Sequence, residues 1–341
     1  MYANEKDYWR DFAEEARRQG SPLYAQLAVA IDGDESLKAL TVGRRPGQPS
    51  ANLLLAAVHY LLLKGAVHPL RDCYATLGGT ASDENAFALF RDFVAIHRDA
   101  VRQLIETRVT NTNEVGRAAI LRAGFGALAR QESAKLNLIE IGPSAGLNLN
   151  WDQYGVRYRQ DGAVAAEVLP GAELVLDCDL KTDAVPPMVL PRLGRRLGLE
   201  LHPVNLLNDD DRTWLRALVW PDQPQRLARL DAAIALFLRA PAEIRGGDAL
   251  ALLPEALAEM PGDEAVCVYH TIVTYQFSAA MREELESLLT AARRPVWHLS
   301  LEFDGQSGFA VTLAHHQGGL VRSRVLGSAS AHGAWLAWQK G

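Results

Sequence analysis

From Leu136 to the C-terminus, short apolar runs of strand length alternate with longer amphipathic ones, whereas no strand signal precedes Leu136. This change of period restricts the fold more than any other feature. Strands alternating with helices predict βαβ units and a parallel sheet. The strand candidates are 136–141, 154–159, 173–178, 198–202, 265–269 and 295–301, with a short one ahead of Gly246. Helical stretches fall at 211–218, 225–238, 250–260 and 278–292. The last pair of strands, 309–315 and 320–326, is joined by Gln317-Gly318-Gly319 and reads as an antiparallel hairpin.

Upstream, Trp9, Phe12, Ala13 and Ala16 recur at helical spacing, as do Leu23, Leu27 and Ile31. A third helix is expected over 51–63, and Phe87, Phe90, Val94 and Val101 mark a further amphipathic stretch. Asn111, three residues before Glu114 and ahead of the apolar run 118–128, reads as an N-cap with a capping box. Two domains fit a length of 341 residues. These are a helical N-terminal cap domain over 1–135 and an α/β domain over 136–341, with an inserted strand pair near 154–178.

A hydrophobic fraction of 48% and a charged fraction of 22% exclude a disordered chain and a disulfide-dense miniprotein. The net charge of −6 argues against a nucleic-acid coat. Cys73, Cys178 and Cys267 form no Cys-x-x-Cys pair, so neither a disulfide framework nor a zinc-finger site is expected. The stretch from Tyr2 to Asp11 is polar, without the look of a signal peptide. The longest apolar run, 53–63, is too short to span a bilayer. A reduced, cytoplasmic protein with no membrane or nucleic-acid partner is expected; its oligomeric state is not legible.

An open parallel sheet binds its ligand at the carboxyl ends of its strands, near the switch point. The first strand runs into Glu140-Ile141-Gly142-Pro143-Ser144-Ala145-Gly146-Leu147-Asn148. Ser144 stands where the dinucleotide fingerprint needs glycine. The acidic-x-Gly-x-x-x-Gly pattern instead resembles the first motif of class I methyltransferases. That resemblance implies a Rossmann-like, methyltransferase-type sheet. It assigns Glu140, Gly142, Ser144, Gly146 and Asn148 to S-adenosylmethionine. Glu200, at the end of a later strand, is placed to accept bonds from ribose hydroxyls. Asp248-Ala249, between a short strand and a helix, resembles the adenine-binding position of the same fold, and Asp248 also suits an N-cap. Tyr269-His270 ends the next strand facing the methyl acceptor, with His270 as general base. His298 lies within an apolar strand and reads as structural. His315 and His316 are adjacent on a strand and point to opposite faces, so no metal is assigned.

The chain also resembles the uncharacterised bacterial family called domain of unknown function 2332, on pieces spread over nearly its whole length. These are Thr112-Asn113-Glu114-Val115-Gly116-Arg117, the Glu140–Asn148 block with Leu149, and Trp151-Asp152-Gln153-Tyr154. Trp220-Pro221-Asp222-Gln223 with Arg226 and Arg229, Gly247-Asp248-Ala249, Tyr269-His270 and His332-Gly333-Ala334-Trp335 follow. His202-Pro203-Val204-Asn205 departs from the Asn-Pro-x-Asp expected there. The family implies no activity. Asn113, Glu114 and Arg117 precede the first strand and are expected, with Tyr269, on the substrate side of the cleft.

The expected function is therefore S-adenosylmethionine binding with methyl transfer to a small molecule. A catalytically silent binding or regulatory protein of the same fold is the first alternative. A serine hydrolase is the second, because Gly142-x-Ser144-x-Gly146 also matches a nucleophile elbow. Asp248 and one of His270, His298 or His332 would complete its triad.

Overall fold

The computed structural model describes residues 8–80, 83–305 and 308–340. The start of the polar N-terminal stretch, from Tyr2 to Asp7, lies outside them. Among the described residues no helix is long and apolar enough to cross a membrane. The helices are α1 (Tyr8–Arg18), α2 (Pro22–Asp32), α3 (Glu35–Ala39), α4 (Ser50–Leu63), α5 (Ala86–Ile96), α6 (Arg98–Thr107), α7 (Arg117–Ala129), α8 (Asp209–Ala217), α9 (Pro224–Arg239), α10 (Ala249–Ala258) and α11 (Ala279–Thr290). The strands are β1 (Leu136–Ile141), β2 (Gly155–Gln160), β3 (Ala163–Val168), β4 (Val175–Leu180), β5 (Leu193–Glu200), β6 (Glu243–Gly246), β7 (Ala265–Thr271), β8 (Val296–Phe303), β9 (Phe309–Gln317), β10 (Leu320–Ala329) and β11 (Trp335–Trp338).

The chain divides into two compact units, Met1–Thr112 with Val204–Asp231 and Asn113–Pro203 with Ala232–Gly341. The first is helical. Its core gathers Phe12, Leu27, Leu54, Phe90 and Ile105 with Trp214 and Trp220 from the returning segment. The Trp220-Pro221-Asp222-Gln223 motif is an anchor there. Trp220 packs against Phe12 and Tyr24, Asp222 accepts from the Ser21 hydroxyl, and the Gln223 amide donates to the Gln19 carbonyl at 2.9 Å. Helix α8 starts where Asn208 accepts from the N–H groups of Asp210 and Asp211, and three aspartates fill its first turn. The stretch marked by Phe87 to Val101 is two helices, broken at His97.

The second unit is an α/β unit built on one eleven-stranded sheet in the order β3-β2-β4-β11-β10-β9-β8-β7-β1-β5-β6. The run β8-β7-β1-β5-β6 is parallel throughout, and β9 and β10 add antiparallel strands beside β8. The β9–β10 hairpin forms as expected. Gln317 pairs with Leu320 across Gly318 and Gly319, at φ +59° and +80°, and glycine takes both without a Cβ clash. Segments β2 to β4 do not sit beside β1 but extend the opposite end of the sheet, where β4 pairs with β11.

Alternation divides the sheet's two faces. Ile139, Ile141, Leu197, Leu199, Val268 and Val296 pack under Leu253 and Leu257 of α10 and Leu285 and Leu289 of α11. Helix α7 lies on the other face. A Cβ at Gly124 would stand 2.6 Å from Leu299 of β8, so the helix needs glycine to come this close. Trp151 stacks on Phe125 of α7 with centroids 4.6 Å apart, and Phe125 meets the Tyr269 ring edge-on. Asn111 is not the N-cap of a helix. Helix α7 begins only at Arg117, and Glu114 Oε1 instead accepts the Gly116 N–H at 3.0 Å. The reason is a tertiary contact. Gly116 lies against the His332 carbonyl, which a Cβ would approach to 2.2 Å, and this contact takes precedence over a helical path from Asn111.

Candidate functional site

Within the parallel run the next strand after β1 is β5 and the next after β7 is β8, on opposite sides of the β1–β7 pair, so the switch point lies between these two neighbours. Register brings the sequence-predicted residues to the carboxyl ends there. Glu140 pairs with Tyr269, Ile141 with Leu199, and Glu200 with Gly246. Gly142 (φ +69°), Ser144 (φ +58°) and Gly146 (φ +79°) then turn the chain out of β1. Ser144 is a non-glycine residue in the left-handed region, a conformation that costs roughly 1–2 kcal/mol. Its backbone N–H donates to Glu200 Oε2 at 2.8 Å, which ties the turn to the end of β5. The glycines face protein. A Cβ at Gly142 would stand 2.7 Å from Val273, and one at Gly146 would stand 2.7 Å from Ile244. Packing of the turn is therefore sufficient reason for both.

Glu140 is the electrostatic centre of this end. It is 2% exposed and accepts from the Tyr269 hydroxyl at 3.0 Å. Burial pushes its carboxyl up to about 8. The Tyr269 bond opposes the shift and the Glu200 charge adds to it. The same hydroxyl lies 3.3 Å from the carbonyl of Asn148. Asn148 spends its amide N–H on the Glu114 carbonyl at 3.3 Å, while its Oδ1 is buried with no hydrogen-bond partner. Glu200 accepts from His202 N–H at 3.0 Å in addition to Ser144. Asp248 caps α10 by accepting the Leu250 N–H at 2.9 Å, and Ala249 is the first residue of that helix.

The residues expected on the substrate side form a clasp instead of an open lining. Asn113 Oδ1 accepts the Leu147 N–H at 3.1 Å. Glu114 Oε2 lies 3.0 Å from His332 Nδ1. The Arg117 guanidinium donates to the carbonyls of Ala331 and Thr271, each at 2.9 Å. His270 is 2% exposed and has both ring nitrogens engaged inside the protein. Nδ1 is 2.6 Å from Glu302 Oε1, and Nε2 is 2.9 Å from His298 Nε2. The residue expected to act as general base thus has both ring nitrogens held by protein partners. The ring lies on the α10–α11 face of the sheet, the face opposite Tyr269, because successive strand residues alternate.

Glu302 was not singled out from sequence, although it sits at the end of β8 where the strand-end rule would look. Burial opposes its ionisation. The bond from His270 and the N–H groups of Val273 and Thr274 outweigh burial and hold the carboxyl below its ordinary value. His298 is driven well below the ordinary imidazole range by burial, with His270 and His316 adding to the effect.

The chain belongs to the family described as an uncharacterized protein conserved in bacteria, domain of unknown function 2332, whose model matches residues 6–338. No curated protein matches it.

Proposed function

We propose that the carboxyl end of β1, β5, β6 and β7 binds S-adenosylmethionine and that the protein transfers its methyl group to a small molecule. One observation carries the reading. The switch-point end is rich in acceptors. Register sets Glu140 and Glu200 at the ends of β1 and β5, Asp248 follows the end of β6, and the unpartnered side-chain Oδ1 of Asn148 lies in the segment after β1. A ligand with a sulfonium, an ammonium, two ribose hydroxyls and an adenine amine offers the complementary donors and positive charge.

Bound S-adenosylmethionine supplies an already activated methyl group, so the protein's task is alignment. Glu200 and Asp248 would hold the nucleoside through free lone pairs, since a carboxylate accepts several bonds. Asn148 and Glu140 would receive the amino-acid end. His270 is left out of this machinery, because its nitrogens are committed to Glu302 and His298.

A thermal shift with S-adenosylhomocysteine, against NAD and buffer, tests the proposal. At about 100 times the dissociation constant, the native state gains roughly 2.7 kcal/mol, a rise of several degrees. Asp248→Ser keeps an N-cap but loses the charge. It should weaken binding about ten- to a hundredfold, the value of one hydrogen bond to a charged group. No shift at millimolar ligand, or equal binding by the variant, would sink the proposal. Methylated product formed from a metabolite extract separates an enzyme from a silent binder. The left-handed Ser144 in Gly-x-Ser-x-Gly keeps a hydrolase reading in play, tested by a fluorophosphonate probe that labels the parent and not Ser144→Ala.

A further inference from the structure

Antiparallel pairing of β8 with β9 sets Val296 opposite His316 and His298 opposite Ala314. His298 and His316 are thus diagonal neighbours on one face of the sheet, where long side chains meet. Helix α11 covers that face and brings Glu286 over the pair. Glu286 Oε1 lies 3.7 Å from His298 Nδ1, and its Oε2 lies 3.9 Å from His316 Nε2. All three candidate donor atoms fall within 4.8 Å of one another. Donors bound to one tetrahedral ion at about 2.0–2.2 Å stand roughly 3.4 Å apart, so side-chain shifts on the order of an ångström close the set.

Two independent observations point to a ligand. First, the His316 side chain is 1% exposed, and its Nε2 is buried with no hydrogen-bond partner. A buried nitrogen left unsatisfied is costly. Second, the protons on the other ring nitrogens all have somewhere to go. His316 Nδ1 is 3.1 Å from Thr290 Oγ1 and can donate to it, which leaves Nε2 with its lone pair. His298 can donate from Nε2 to His270 Nε2 at 2.9 Å, and His270 can donate from Nδ1 to Glu302 at 2.6 Å. This tautomer set leaves His298 Nδ1 with its lone pair as well. Outer partners of this kind orient metal-binding histidines and raise their basicity. Glu302 is itself held by the Val273 N–H at 2.8 Å, so the chain of partners ends on fixed backbone.

We infer that Glu286, His298 and His316 bind a divalent first-row transition ion through one carboxylate oxygen and two imidazole nitrogens. Two nitrogens and one oxygen suit zinc, iron(II) or cobalt(II) over magnesium or calcium, which take oxygen. Three protein ligands leave at least one position for water. The Glu286 side chain is 56% exposed, so the site is reachable from solvent. The adjacent pair His315-His316 is not the pairing that matters. His315 points to the other face and stacks on Trp297 at 4.2 Å, and the partner of His316 comes from the neighbouring strand.

The test uses the full chain without a histidine tag, stripped with a chelator and titrated with cobalt(II) by absorbance. Zinc(II) is then titrated in competition with a chromophoric chelator. The expected result is one ion per chain. Glu286→Gln, on a half-exposed side chain, folds like the parent and weakens zinc at least about tenfold, and His316→Ala removes the site. His270→Ala, one bond removed from the ion, weakens it by about 10–100-fold. Absence of stoichiometric binding overturns the inference, as does binding that survives Glu286→Gln unchanged. If His316→Ala does not fold, Glu286→Gln decides alone.

Discussion

Glu140→Gln should flatten the stability of the protein between about pH 4.5 and 8 and make the variant more stable than the parent above that range. The folded chain holds the Glu140 proton up to about 8, whereas the unfolded chain releases it near the ordinary 4.5. Between these values the native state binds more protons than the unfolded state, so stability falls as pH rises. The contribution is complete below 4.5 and lost once pH passes the folded value. At about 1.36 kcal/mol per pH unit, the whole loss is roughly 3–5 kcal/mol. Glutamine has the same shape, keeps a carbonyl for the Tyr269 hydroxyl 3.0 Å away, and carries no charge to bury. Urea unfolding of parent and variant across this pH range reads the difference directly. Parallel curves would mean that Glu140 is not a buried acid held neutral by its surroundings. A corollary reaches the proposed ligand. A cation beside Glu140 favours the ionised carboxylate, so binding the ligand's ammonium should release a proton and tighten as pH approaches 8.

The legible parts of this fold are those where one local rule decides. Gly318-Gly319 needs a left-handed turn, Glu140 lies near the end of a strand that its own apolar run announces, Glu200 ends a later strand, and Asp248 stands at a helix start after Gly246-Gly247. Strand β3 escaped because Ala163-Val164-Ala165-Ala166-Glu167-Val168 has weak strand propensity and a mostly exposed edge position, so neither composition nor alternation marks it. Strand β11 has only four residues and is held by β10 and β4, partners distant in sequence or unreadable as neighbours. The start of α7 was misplaced for a similar reason, since the contact between Gly116 and His332 spans more than half the chain. The Glu286–His298–His316 cluster has no spacing signature. Its members lie on a helix and two strands, and only the β8–β9 register brings the histidines together. His270 shows the limit of reading strand ends. Position along β7 was right, but the face it occupies depends on pleat parity, and a buried partner such as Glu302 is invisible from sequence.

Gly333→Ala should cost about 2–5 kcal/mol. Gly333 has φ +73°, where an alanine pays roughly 1–2 kcal/mol. Its Cβ would also stand 1.9 Å from the Gly116 carbonyl oxygen and 2.9 Å from Arg117 N. Those atoms are backbone and have no rotamer to yield, so overpacking adds about 1–3 kcal/mol. Gly162, in the turn between β2 and β3, has φ +82° but nothing within 4 Å of its Cβ position. Gly162→Ala therefore measures the conformational cost alone, and chemical denaturation of the two variants isolates the clash. Equal losses would mean that the approach of the 330–333 loop to Gly116 is looser than described. A larger loss for Gly333→Ala would make the clasp a keystone of the switch-point end. It fixes Glu114 beside His332 at 3.0 Å, and through Asn113 and Asn148 the same segment holds the turn that follows β1. A variant that folds with the clasp displaced should then bind S-adenosylhomocysteine less well although Gly333 touches none of the acceptors, because the cost of placing Asn148 is no longer met before the ligand arrives.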